Sequence, residues 1–237
     1  MPKLFFCSDL HLHHPNILKY EPGRIDALSR YLSDRDGQLP LNEIKNLILE
    51  SMKNKHSDEF ENFLTEHDNM LIENWNKKVR ATDYVIYLGD FAYCQHACKG
   101  DTNFDKVPED VKNKIIELGK RLNGHKLMIM GNHDWRGTFH QGPLKGIHYV
   151  YPEVKRFWEA VGFEVVYPDT QVFKKYFELS HEPSPYYSPS MVRFNIYGHV
   201  HSDVRFITQT ENSLCVCADR HNLSPIEFKD FNNFESD

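Results

Sequence analysis

Short apolar runs, each broken off by a polar cluster, set the rhythm of this chain. Lys3-Leu4-Phe5-Phe6-Cys7-Ser8 reads as a buried strand that stops at Asp9. Tyr84-Val85-Ile86-Tyr87-Leu88 stops at Gly89-Asp90, and Lys126-Leu127-Met128-Ile129-Met130 runs into Gly131-Asn132-His133-Asp134. Further on, a strand over Val172 to Leu179 meets Ser180-His181. Another over Val192 to Tyr197 meets Gly198-His199-Val200-His201.

Between these runs the apolar spacing changes to that of a helix. From Arg24 to Asn62 the sequence is charged, with Leu41, Ile44, Leu47 and Ile48 on one face. Phe60, Phe63 and Leu64 then lead into Met70, Leu71, Asn74 and Trp75, so two or three helices are expected here. Val111, Ile115, Leu118 and Leu122 predict a helix over 107–122, and a shorter one is expected over 152–161. Strands alternating with helices indicate an α/β fold, and the strand-rich second half predicts a further sheet packed on the first. In such folds ligands bind beyond the carboxyl ends of strands, where all five polar clusters stand.

With 237 residues and no internal repeat or flexible linker, the chain is read as one domain, 1–237, with a helical insertion at about 24–62. Hydrophobic residues at 40% and charged residues at 26% permit a packed core. No apolar run approaches the roughly 20 residues of a membrane helix, and the opening Met1 to Asp9 is too short for a signal peptide. The net charge of −6, from 28 basic against 34 acidic residues, lacks the basic footprint of a polymeric nucleic-acid binder. Five scattered cysteines without a Cys-x-x-Cys pair argue against a disulfide framework or a zinc ribbon and suit a reducing cytoplasm. The 14 histidines outnumber the six Met and three Trp together, and many stand in the strand-end clusters. Metal chemistry follows as the first expectation.

Asp9-Leu10-His11 places a carboxylate and an imidazole two residues apart. In an extended segment both would point to one side and meet one cation. His199-Val200-His201 repeats the spacing with two imidazoles, while Asp90, Asn132 and His181 each add one donor. Seven oxygen and nitrogen donors exceed what a single catalytic zinc takes, but suffice for two divalent ions if one carboxylate bridges. The mixed set favours manganese, with iron, zinc, nickel or cobalt as alternatives, over calcium, magnesium or copper(I). Two ions about 3.5–4 Å apart suit displacement at phosphorus, with a hydroxide between them nucleophilic near neutral pH.

The ordered blocks Asp9-Leu10-His11, Gly89-Asp90, Gly131-Asn132-His133-Asp134, His181 and Gly198-His199-Val200-His201 resemble the calcineurin-like metallophosphoesterases. Ser8 to Ile17, with its His14-Pro15-Asn16-Ile17, and Leu71 to Asn76 are similar to a bacterial and viral subgroup of that family. The resemblance implies a four-layer α/β/β/α sandwich. It implies one metal on Asp9, His11, Asp90 and His201, and a second on Asp90, Asn132, His181 and His199, with Asp90 bridging. It places His133 near the leaving-group oxygen, as general acid or charge-stabilising donor, with Asp134 orienting it. Asn132, His133 and Arg136 are the residues expected to meet the substrate. The implied reaction is in-line phosphoester hydrolysis without a covalent intermediate, on a small phosphoester or a nucleotide. A phosphodiester is preferred; a phosphomonoesterase and a non-catalytic protein-binding scaffold are the alternatives.

Several residues compete for these roles. His140 and His148 rival His181, and Arg205 rivals Arg136 as a phosphate clamp. His14 and Asn16 line either the substrate mouth or a turn. Cys94-Gln95-His96-Ala97-Cys98 is read as a loop or helix start. The aromatic residues Phe91, Tyr93, Trp135, Phe139, Tyr149 and Tyr151 either stack on a nucleobase or pack in the core.

Overall fold

The computed structural model describes residues 1–37, 39–92, 104–184 and 194–231. Cys94 to Cys98, Tyr93 and the start of the strand expected from Val192 lie outside the described residues. The first sheet takes β1 (Leu4–Cys7), β2 (Tyr84–Tyr87), β3 (His125–Ile129), β6 (Phe163–Tyr167) and β11 (Ile226–Glu227) in the order β11-β1-β2-β3-β6. Its three pairings from β1 to β6 are parallel and β11 is antiparallel at one edge. The second sheet, in the order β10-β9-β8-β7, uses β7 (Gln171–Phe173), β8 (Phe177–Ser180), β9 (Phe194–Tyr197) and β10 (Ser213–Cys215). A small hairpin joins β4 (Gly137–Thr138) to β5 (His148–Tyr149).

The continuous apolar runs of β1 and β2 follow from burial on both faces. Alternation sends Phe5, Cys7, Val85, Tyr87 and Met128 into one core, and Phe6, Ile86, Leu88 and Ile129 into another. The second core is shared with Leu179, Phe194, Ile196 and Leu214 of the second sheet, so the two sheets pack face to face. The first core holds apolar residues from α1 (Ile17–Tyr20), α2 (Pro22–Asp36), α3 (Leu41–Ser51), α4 (Asp58–Lys78), α5 (Glu109–Lys120) and α6 (Pro152–Val161). Every α-helix of the described residues therefore covers the same face of the first sheet.

Two expectations change here. The run 172–179 is a β-hairpin rather than one strand, because Lys174 and Lys175 adopt left-handed φ of 49° and 65° and turn the chain. The outer helical layer of a four-layer sandwich is not found among the described residues. Instead Val200 and Phe206, from the segment after β9, pack against Tyr197, Cys215 and Cys217.

Between residues 24 and 62 stand most of α2, the whole of α3 and the first turn of α4. The long α4 begins at an N-cap Ser57, whose hydroxyl accepts from Phe60 N, with Asp58, Glu59 and Glu61 in its first turn and Lys77 and Lys78 in its last. No helix of the described residues is long and apolar enough to cross a membrane.

Candidate metal centre

The strand ends bring five loops together. Past the pairing of Cys7 with Tyr87, the chain at Asp9 runs beside Gly89 to Phe91: Asp9 N donates to Gly89 O (3.0 Å), His11 N to Asp90 O (3.2 Å) and Leu12 N to Phe91 O (2.9 Å). The ligand segments are not extended, as the two-residue spacing predicted. Asp9, His11, Asp90, His199 and His201 all have left-handed φ, between 44° and 70°. Such a conformation costs on the order of 1–3 kcal/mol per residue and persists where surroundings impose it. Side chains two apart converge here through alternating left-handed residues in a loop, because the strands have already ended.

Glycines let these loops touch. A Cβ on Gly131 would stand 2.2 Å from Asp90 Oδ1, and one on Gly198 would stand 2.6 Å from Asp9 Oδ2. The approach of backbone to ligand carboxylate leaves no room for any side chain.

One donor group forms around Asp9. Its Oδ2 accepts from His199 N (2.9 Å) and from the Cys217 thiol (3.1 Å). Its Oδ1 is buried without a hydrogen-bond partner and faces His201 Nε2 (3.6 Å) and His11 Nε2 (3.9 Å). Those two nitrogens are 3.2 Å apart, and Asp90 Oδ2 is 3.7 Å from His11 Nε2.

A second group forms around His181. Its Nδ1 donates to Leu88 O at 2.8 Å, so Nε2 is turned inward. That nitrogen lies 2.9 Å from Asn132 Oδ1, 3.2 Å from His199 Nδ1 and 3.4 Å from Asp90 Oδ2. Asp90 Oδ1 is taken up by His133 N (3.0 Å), which leaves Oδ2 between the two groups. Donor atoms of Asp9, His11 and His201, and those of Asp90, His181 and His199, each lie within 4.8 Å of one another. A buried carboxylate oxygen with no partner, facing lone-pair nitrogens, is a donor set that a divalent cation completes.

The electrostatics agree. Burial disfavours a charged His181, yet Asp90 outweighs it and pushes the imidazole up to about 10. Burial also works against a charged Asp90, but His181, then His11 and His133, hold it well below the usual carboxylate range. Without metal, a proton supplies the positive charge that this pair requires, and a cation held by these residues would take its place. Burial keeps His11 well below the ordinary imidazole value.

Supporting residues reach further than the sequence suggested. His201 Nδ1 donates to Asp219 Oδ2 (2.7 Å), which fixes the ring with Nε2 toward Asp9. Asp219 in turn receives two bonds from Arg24, at 2.7 and 2.9 Å. Sequence reasoning missed both. Asp219 does stand three residues after the apolar Leu214-Cys215-Val216, a sixth apolar run followed by a polar side chain; Arg24 carries no such mark. Asp219→Ala is expected to weaken cation binding about 10–100-fold by freeing the His201 ring; calorimetric titration with Mn²⁺ reads this directly, and unchanged affinity would exclude the role.

Asp134 has a different place from the one expected. Its carboxylate accepts from Asp90 N and Gly131 N at 2.7 Å each and from Phe91 N at 3.2 Å. It ties the second and third ligand loops together rather than bonding the His133 ring. Burial, then the nearby Asp90 charge, pushes its carboxyl up to about 6.

The remaining candidates sort by position. The His133 side chain is 31% exposed, with Nε2 3.9 Å from Asp90 Oδ2 and its ring edge-on to His11. Arg136, 18% exposed, lies 3.6 Å from Glu182, next to His181. It lines a cavity of about 190 Å³ with His148, Ser180 and His181. Arg205 is 81% exposed and pairs with Asp203 two residues away. His148 bonds Asp169 and His140 is exposed, so neither joins the donors; His181 does.

His14 is buried against the His11 ring, 5.2 Å between centroids, and Asn16 accepts from Lys55. Phe91 and Trp135 are core residues, whereas Tyr149 of the hairpin meets Phe139 at a tilt and Tyr151 edge-on.

Comparison with known proteins agrees with this geometry. The sequence model named calcineurin-like phosphoesterase matches residues 2–232. Uncharacterized protein MJ1445 of Methanocaldococcus jannaschii is 25% identical over 230 residues, 95% of this chain and 87% of that protein. The protein of unknown function AQ665 from Aquifex aeolicus overlays with a TM-score of 0.51 at 18% identity, covering 98% of this chain and 99% of the other. At that identity the likeness speaks for the fold alone.

Proposed function

The chain belongs to the calcineurin-like phosphoesterase family, a family of metal-dependent phosphoester hydrolases, and from that premise we propose that it is a phosphodiesterase working with two divalent cations. The observation that carries the reading is Asp90 Oδ2, 3.7 Å from His11 Nε2 and 3.4 Å from His181 Nε2, one oxygen shared by two donor groups. Asp9, His11, Asp90 and His201 would hold one ion, and Asp90, Asn132, His181 and His199 the other. Bound there, the ions would neutralise phosphoryl charge and make water nucleophilic near neutral pH. Nitrogen–oxygen ligation without thiolate supports manganese, with iron, zinc, nickel or cobalt as alternatives.

The chain's own side chains supply the rest. His133, at the mouth of the centre, donates a hydrogen bond or a proton to the leaving-group oxygen. Arg136 and the Asn132 amide meet the phosphoryl oxygens. The cavity beyond His181, with room for about six waters, supports a diester, whose second alcohol needs space that a monoester does not. The substrate is a small phosphoester or nucleotide, and the whole of 1–237 is read as one domain. Free, buried Cys7, Cys215 and Cys217 suit a cytoplasmic site.

A panel of chromogenic mono- and diesters and cyclic nucleotides, assayed with Mn²⁺ and again with chelator, tests the reading. Chelator-sensitive turnover with higher kcat/KM on diesters is expected. Faster monoester hydrolysis would make the protein a phosphatase, and two bound ions with no turnover would make it a scaffold.

A further inference from the structure

The helices of residues 22–78 carry none of the seven donors, yet two of them reach the first ligand loop with buried charges. From α2, Arg24 is 1% exposed; its Nη1 donates to Leu10 O and its Nη2 to Asp9 O, both at 2.7 Å. From α4, Asp68 is 0% exposed; it accepts from His13 N at 2.8 Å, and its other oxygen lies 3.3 Å from His13 Nδ1. Between these grips stand Asp9, His11 and His13, three left-handed residues alternating with Leu10 and Leu12, at φ of 57°, 49° and 55°.

Packing alone does not explain the charges. Ile25 and Leu28 of α2, and Leu64, Leu71 and Trp75 of α4, already seat the helices on the sheet. Burying an ion costs several kcal/mol unless it is well bonded, and apolar residues of similar volume would fill the space at lower cost. Beyond the pairing of Arg24 with Asp219, Arg24 and Asp68 add hydrogen bonds at the two ends of a strained loop. The two leucines between the grips are fully buried. Bonds and burial together hold the chain in a conformation that histidine and aspartate otherwise rarely adopt.

We propose that α2 and α4 form a clamp on the first ligand loop, with Arg24 and Asp68 as positioning residues that set the affinity of the cation held by Asp9, His11 and His201. The clamp rests on the two-cation reading above. It assigns these helices to the metal centre itself, as a fixed mount rather than a lid.

The test is calorimetric titration of the full chain with Mn²⁺, with electron paramagnetic resonance of the ion pair and thermal melting alongside. His201→Ala and Asn132→Ala, each lacking a ligand of one group, assign the two binding steps. Asp68→Ala is expected to raise the Kd of the first ion about 10–100-fold, to change the second far less, and to convert the coupled-pair spectrum to that of isolated Mn²⁺. Asp68→Asn, which keeps an acceptor for His13 N, should recover part of the loss. Arg24→Lys keeps the charge but loses the fork that reaches two carbonyls, and should resemble Asp68→Ala. Folded variants binding both ions as wild type does would overturn the clamp, and so would equal losses at both steps, the mark of general destabilisation. Wild-type protein that binds no ion pair would instead defeat the two-cation reading, and the clamp with it.

Discussion

Asp90→Asn is expected to empty both cation positions and to lower kcat/KM on the order of a thousandfold or more. Asparagine is the informative replacement. It tolerates the left-handed φ of 57° at this position, and its amide oxygen can still accept from His133 N. What it removes is the negative charge on the oxygen shared by the two donor groups. That charge is held by His181 at 3.4 Å and His11 at 3.7 Å, so its loss is felt on both sides. The effect should exceed the roughly 10–100-fold of an outer residue such as Asp219. Metal analysis after dialysis, paired with steady-state kinetics, reads it. A variant that keeps two ions per chain would show that Asp90 is not the bridge.

His133→Ala should do the opposite to metal content. Its ring is not among the inward-facing donors, and the main-chain N–H that bonds Asp90 Oδ1 survives the change. Both ions should stay bound while turnover falls about 10²–10⁴-fold, the usual contribution of a positioned acid or base. Substrates separate the two roles open to the ring. If His133 delivers a proton, a diester with a poor alkoxide leaving group should suffer far more than one releasing nitrophenolate. Equal losses would make it a charge-stabilising donor, and lost metal would make it a ligand.

The parts of this structure that were legible in the chain are those with a local pattern. β1, β2 and β3 are buried on both faces, so they read as unbroken apolar runs, and the donors stand directly after them. The second sheet was legible as strand-rich sequence, but the turn at Lys174-Lys175 was not, because neither residue is a usual turn former. Arg24, Asp68 and Asp219 escaped for another reason. A single charged residue on a helix, or in a loop, is most often solvated, and only the tertiary structure shows that Arg24 and Asp68 bond the loop at 9–13 while Asp219 bonds His201 and Arg24. Cys217 was marked only as one of five scattered cysteines, and nothing local tells that its thiol donates to Asp9. Asp134 accepts from the main chain of Asp90, Phe91 and Gly131 rather than from the His133 ring, since adjacency in sequence to His133 says nothing about where its carboxylate points. The left-handed ligand residues were not legible either, because Asp and His adopt that conformation only where their surroundings impose it.

The most direct test of the central claim is anomalous diffraction from crystals grown with Mn²⁺. Two peaks are predicted, one against Asp9, His11 and His201 and the other against Asn132, His181 and His199, with the Asp90 carboxylate touching both. A single peak, or two that do not share Asp90, would contradict the account.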